Sequence, residues 1–268
     1  MSWSVGPTGE EIDLLLVEDI ERVRGLRNAL GACSGYNARL VHASEHYHWD
    51  LSLLGLSRGY DYLCGLTSER FVMFTHGRSR QPNATLFDSA GDELSTFWVG
   101  DYVEHLQADP SGNLWVSYFD QGFGQDYSER GLSCYDSHGQ AVIPWWNCPM
   151  MDCYAMNVCK DGVWHCGYSY FPIVHIGFDQ RQREWSNRIT GARAIVAWGQ
   201  RVALYGGYQE RAQQLTTLKL TAKGDAVVEA ERIGRLPDSP ATPGVTGRGP
   251  YFHAVHRGVW YRLDPRVK

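Results

Sequence analysis

Two stretches of the chain carry residue types able to do chemistry. The first is Glu45-His46-Tyr47-His48, with His42 a few residues upstream. Alternate residues of an extended segment share a side, so His46 and His48 bring two imidazoles together in a way a metal can use. Glu45 or His42 would add a third ligand. A metal needs three or four convergent donors, and no second cluster has a matching spacing. Exposed loop histidines are therefore expected, and Glu45, His46 and His48 stand as the one metal alternative. The second stretch holds Cys148, Cys153, Cys159 and Cys166 with His165. It contains no CxxC pair, so it does not read as a zinc ribbon. Small thiols on neighbouring strands pack routinely as apolar groups. No GxSxG elbow is present, and Gly206-Gly207 lacks the Lys-Ser/Thr that a phosphate loop requires. The residues call for no cofactor and mark no catalytic group.

The elements that would position these residues are short. Residues 102–146 contain four apolar runs, 103–108, 113–119, 132–136 and 141–146, rich in β-branched and aromatic side chains. Tight Asp-Pro-Ser-Gly and Ser-His-Gly turns close two of the junctions, the pattern of antiparallel hairpins. Four strands in about 45 residues make one blade of a β-propeller. Further inner hairpins fall at 60–75, 154–167 and 194–205, and outer ones at 84–99, 173–189 and 215–231. Asp88, Asp136 and Asp179 open equivalent turns 48 and then 43 residues apart. Residues 37–44 and 49–56 read as two strands around the histidine-bearing turn, and 12–17 as another. The fold class is all-β: one closed propeller domain over residues 1–268, with six four-stranded blades best supported and five or seven as alternatives. The last unit is short of strands, so residues 12–17 are expected to complete it beside 259–263, removing an open edge. Trp115, Trp164 and Trp260 are expected to pack between blades.

The run Asp109-Pro110-Ser111-Gly112-Asn113-Leu114-Trp115-Val116, followed by Gly131-Leu132 and Cys134-Tyr135-Asp136-Ser137-His138-Gly139, resembles a blade of several propeller families. These are the two-component-regulator, NHL and gluconolactonase-like types. The resemblance implies a propeller fold. Its functional range spans sensors, scaffolds and metal-dependent lactonases. The lactonase-like members use an early acidic residue with Asn and Asp channel ligands, and Glu45 is the early acid here, without the Glu-Gly-Pro context.

Bulk properties narrow the choice. A net charge of −5 leaves no basic footprint for nucleic acid. The apolar run 14–17 is flanked by acids, which argues against a signal peptide or membrane helix. An odd cysteine count of seven fits reduced thiols and a cytoplasmic setting.

One rim of such a ring would carry only tight turns, and the other the long connections. Assigned to the long rim are 45–49, 77–83, 120–130, 145–153, 168–172, 206–214 and 237–243. Rigid scaffolds place function on long loops. These loops mix both charge signs with Tyr, Trp and Phe, a protein-contact composition. Candidate binding residues are Trp49, Arg78, Asp120, Phe123, Asp126, Tyr127, Tyr170 and Arg211. The expected function is a non-catalytic, monomeric propeller holding a protein partner, as a scaffold or an immunity-type inhibitor, without membrane attachment. The alternative is a metal-dependent lactonase-like hydrolase acting at the channel mouth.

Overall fold

The computed structural model describes residues 2–6, 9–17, 35–46, 48–56, 58–76, 81–122, 128, 131–142, 144–147, 152–234, 236–237 and 244–267. Six antiparallel sheets form a ring, each with its strands in chain order. Blade 1 contains β1 (Ser2–Val5), β2 (Glu11–Val17), β3 (Tyr36–Ser44) and β4 (His48–Leu56). Blade 2 contains β5 (Tyr62–Thr67), β6 (Arg70–Phe74), β7 (Ala84–Asp88) and β8 (Glu93–Phe97). Blade 3 has three strands, β9 (Val103–Ala108), β10 (Leu114–Tyr118) and β11 (Leu132–Tyr135). Blade 4 contains β12 (Cys153–Cys159), β13 (Gly162–Gly167), β14 (Ile173–Gly177) and β15 (Gln182–Trp185). Blade 5 contains β16 (Ala194–Trp198), β17 (Arg201–Tyr205), β18 (Gln214–Leu220) and β19 (Ala226–Ile233). Blade 6 has three strands, β20 (Val245–Arg248), β21 (Tyr251–His256) and β22 (Val259–Leu263).

The core lies between blades. A strand near the ring's axis buries both faces, so its side chains serve two neighbouring interfaces alternately. On β13, Val163 joins Trp115, Leu132 and Trp146 toward blade 3, while Trp164 and Cys166 join Ile195, Val202 and Leu204 toward blade 5. The Asp turns repeat one device. Asp88 Oδ1 accepts the N–H groups of Ala90 and Asp92, both at 2.9 Å. Asp136 Oδ1 does the same for His138 and Gln140, also at 2.9 Å. Asp109 uses the device in the β9–β10 turn, and its second oxygen takes the Trp115 indole at 3.1 Å. The carboxylate substitutes for the ladder where the chain reverses, which is why the aspartates recur at blade spacing.

The centre of the ring is stoppered. Arg248, at the end of β20, is 1% exposed. Its guanidinium donates to Val5 O at 3.2 Å, Gly6 O at 3.1 Å, Val158 O at 2.7 Å, Gln107 Oε1 at 3.3 Å and Ala108 O. Gln107 adds bonds to Met156 O, Thr246 Oγ1 and Gly247 O, and accepts Val158 N. Blades 1, 3, 4 and 6 therefore meet on two side chains. Carbonyl oxygens, with no carboxylate among these bonds, satisfy the charge. Burial pulls the guanidinium below its ordinary pKa.

Two expectations are corrected. Residues 12–17 do form a strand, but it is β2, paired with β1 and β3, while β22 pairs only with β21. The segment Ser2–Val5 supplies an inner strand of its own, so blade 1 is complete without lending one to blade 6. The ring closes there by packing of Trp3, Val5 and Ile12 against Val255 and Trp260, and by the Arg248 bonds to Val5 and Gly6. Among the described residues of 141–146 there is no strand. Ala141 makes an isolated bridge to Tyr135, after which Pro144 supplies no amide donor to continue a ladder. Trp115 and Trp164 are buried between blades as expected, and Trp260, partly buried on the third strand of its blade, packs across the junction with blade 1.

Candidate binding face

The inner strands all start at one rim and end at the other, which fixes what each rim carries. At their ends lie the short connections, including the β3–β4 turn. At their starts lie, among the described residues, 75–76, 81–83, 119–122, 142, 144–147, 152, 168–172, 186–193, 206–213, 234 and 236–237. The extra strand β1 shifts the parity of blade 1 by one, so Glu45 and His46 belong to the tight-turn rim. This overturns the placement of Trp49 and of the histidine pair. Trp49 stacks on His42 with ring centroids 5.1 Å apart, and His42 is fixed by Asp13 at 2.7 Å. Trp49 is thus a flank of blade 1, on the opposite side from the other candidates. Glu45, His46 and His48 are exposed, and among the described residues no group of three or more His, Cys, Asp or Glu is placed to hold a metal.

Asp120, Tyr170 and Arg211 do share the long rim. Asp120 opens a 3-10 turn, Asp120–Gly122, immediately after β10. Arg211 closes another, Gln209–Arg211, and is held by Glu231 at 2.8 Å. Tyr170 is 92% exposed. It stands in a run of three residues in the left-handed region, Ser169 and Tyr170 at φ 72° and Phe171 at φ 50°. Each L-residue held there costs about 1–2 kcal/mol, so the run is maintained against strain. Arg78, Phe123, Asp126 and Tyr127 lie outside the described residues.

Beside Tyr170 the rim builds an aromatic group that spacing alone does not reveal. Tyr154, Tyr168, Phe171 and Tyr208 lie with ring centroids 5.7–6.0 Å apart. The hydroxyls of Tyr208 and Tyr154 bond at 2.6 Å. Gly191, at φ 72°, lies under the Tyr208 ring, where a Cβ would come within 2.5 Å of a ring carbon. The rings come from the start of β12, the β13–β14 loop and the β17–β18 loop, and only the fold joins them.

Within this rim a funnel of about 450 Å³, open mouth included, leads down to the stopper. Its wall includes Trp3, Tyr62, Glu104, His105 and Gln107, and Arg248 and Thr246 stand at its base. His105 Nε2 donates to Cys153 O at 3.1 Å, tying the start of β9 to the start of β12. The preceding residues, Glu104 and Asp152, are thereby brought side by side. Asp152 is 6% exposed, and its Oδ1 is buried without a hydrogen-bond partner. Burial, with the charges of Glu104 and Asp120 added, pushes its carboxyl up to about 7. Burial also lowers the His105 imidazole, so it stays neutral.

The five described cysteines, Cys64, Cys134, Cys153, Cys159 and Cys166, are buried and outside any disulfide. Desolvation pushes the thiols of Cys64, Cys159 and Cys166 up to about 12, far from nucleophilic.

Ring, blade order and stoppered axis define a six-bladed β-propeller. Its solved structural neighbours are propellers. Hsv2 of Kluyvelomyces marxianus matches at TM-score 0.58 and 9% identity, over 98% of this chain and 75% of that one. Virginiamycin B lyase of Staphylococcus aureus matches at TM-score 0.47 and 11% identity, over 83% and 75%. U3-55K matches at TM-score 0.46 and 10% identity, over 98% and 91%. At such identities the likeness speaks for the fold alone, without separating the NHL, gluconolactonase-like and two-component-regulator types. The YxzG family profile matches residues 126–199, from the β10–β11 connection into β16. No curated protein matches the chain. Among the described residues no helix is long and apolar enough to cross a membrane.

Proposed function

We propose that this propeller is a non-catalytic binding module that holds a protein partner on its long-loop face. The observation that carries the reading is the blind funnel. Arg248 and Gln107 occupy the axis where lactonase-like propellers would keep their metal, so that position is already filled. The donors of this site are carbonyls already engaged with Arg248, so the residues present do not fit a channel metal. What remains is a funnel walled by Trp3, Tyr62 and Glu104, on a rim that also carries Tyr154, Tyr168, Tyr170, Phe171, Tyr208 and Arg211. Large aromatic rings with polar tips, partly preorganised on a rigid ring, are the make-up of protein-contact hot spots.

The test is comparative capture from the native host's lysate. Tyr170→Ala combined with Tyr208→Ala should weaken retention of the captured protein at least roughly tenfold. Ser137→Ala with His138→Ala, on the tight-turn rim, should leave it unchanged. Loss with the second pair and retention with the first would place the working face on the wrong side. Metal-dependent lactone hydrolysis by the purified protein would favour the alternative.

A further inference from the structure

The geometry points to a cationic side chain, lysine or arginine, of a protein partner as the group that enters the funnel mouth, received by Asp152 and Glu104. The proposal rests on the binding-face reading and adds the chemistry of the occupant.

Asp152 is the feature that demands an explanation. Buried carboxylates are normally matched by a cation or by several N–H donors, because an unpaired one loses its hydration without replacement. Asp152 is over nine-tenths buried and its Oδ1 has neither. The groups that bear on its ionisation are the carboxylates of Glu104 and Asp120, and no cation stands among them. Its neighbours on β9 and β12 offer no relief: His105 is neutral, and the Tyr154 phenol is itself raised by burial and by Asp152. The charges of Glu104, which lines the funnel, and of Asp120 therefore bear on Asp152 next to the Tyr154–Tyr208 pair.

A metal ion is not the matching ligand. Among the described residues these acids do not converge closely enough to share one. An ammonium or guanidinium on a flexible stem fits better. It can reach past the rim, span separated carboxylates by hydrogen bonds, and lay its stem against aromatic faces. The partner would therefore present Lys or Arg on a protruding loop or terminus. Because Asp152 carries a proton near neutral pH, insertion of a cation would release it, and binding would tighten as pH rises.

The probes are three blocked tripeptides, acetyl-Gly-Arg-Gly-amide, acetyl-Gly-Lys-Gly-amide and acetyl-Gly-Leu-Gly-amide, titrated onto the full chain. The indole N–H resonance of Trp3, which lines the funnel, reports binding. The Arg and Lys peptides should shift it and the Leu peptide should not. Their affinity should rise several-fold, up to about tenfold, between pH 6 and pH 8, following ionisation of a group titrating near 7. Asp152→Asn should weaken both cationic peptides at least roughly tenfold and flatten the pH profile. It should also melt higher than the parent at pH 8, because an unpaired buried charge is gone.

Shifts of equal size with the leucine peptide, no shift with either cationic peptide, or wild-type affinity and slope in Asp152→Asn would each overturn the proposal. If the tyrosine variants still lose the captured partner in that case, the face stands and only its occupant is wrong. If they too are without effect, the face itself falls.

Discussion

Arg248 holds a full charge at the axis of the ring on carbonyl oxygens from three other strands or their ends. Removing the donor leaves Val5 O, Gly6 O, Ala108 O and Val158 O without it, in a place water does not fill freely. A buried carbonyl left without its donor costs about 1–3 kcal/mol. Arg248→Met is expected to lower stability by that order, read as a shift of the urea midpoint at constant slope. Two histidines act on stability through pH instead. His165 and His253 are 1% and 0% exposed, and burial pulls both imidazoles down to about 3. Their folded values lie below the unfolded one near 6.5. Their contribution is therefore present above pH 6.5 and is lost as pH falls toward 3. The slope is about 1.4 kcal/mol per pH unit for each. Asp152 has the opposite sign: its folded value is raised above 3.8, so it weakens the fold as pH rises toward 7. Urea midpoints at pH 7.0, 5.5 and 4.5 should fall steeply, and less steeply in His165→Leu. Parallel lines for the two proteins would contradict the assignment.

At the scale of the strand and turn, the repeated aspartates are the clearest case of chemistry set by backbone geometry. Asp88 and Asp136 each accept two backbone N–H groups. Asp88→Ala and Asp136→Ala should each cost about 1–2 kcal/mol. They lie in different blades, so the double variant should match the sum within about 0.5 kcal/mol. These turns were readable from sequence because an Asx turn is local: the aspartate, the spacing and the glycine all sit within a few residues. Blade hairpins were readable for the same reason. Ser2–Val5 was not, since a four-residue strand with one tryptophan and one valine gives no period. Missing it moved the His46–His48 turn and Trp49 to the wrong rim. The site was legible only in part. Asp120, Tyr170 and Arg211 could be placed on one rim because loop length marks the side that carries the long connections. Glu104 and Asp152 could not, because β9 and β12 bring them together from 48 residues apart, and a lone acid before an apolar strand carries no mark.

At the scale of the whole molecule, the ring has one joint unlike the rest. Five junctions are crossed by the chain itself. The junction of blades 6 and 1 is held by the apolar group of Trp3, Val5, Ile12 and Val255, and by two hydrogen bonds from Arg248. Among the described strands no backbone ladder bridges it. The mechanical consequence is a seam. Pulled by its two ends, the protein should part there first, since side-chain contacts peel at lower load than a strand sheared lengthwise from its neighbour. Forced unfolding reports the barrier to opening, not the equilibrium stability. A force ramp applied through the termini should show a small early extension as blade 1 separates from blade 6, before the main rupture. Arg248→Met should lower the force of that first event more than the second. The opening belongs to a ring fastened like a cuff with one button, and the button is a single guanidinium.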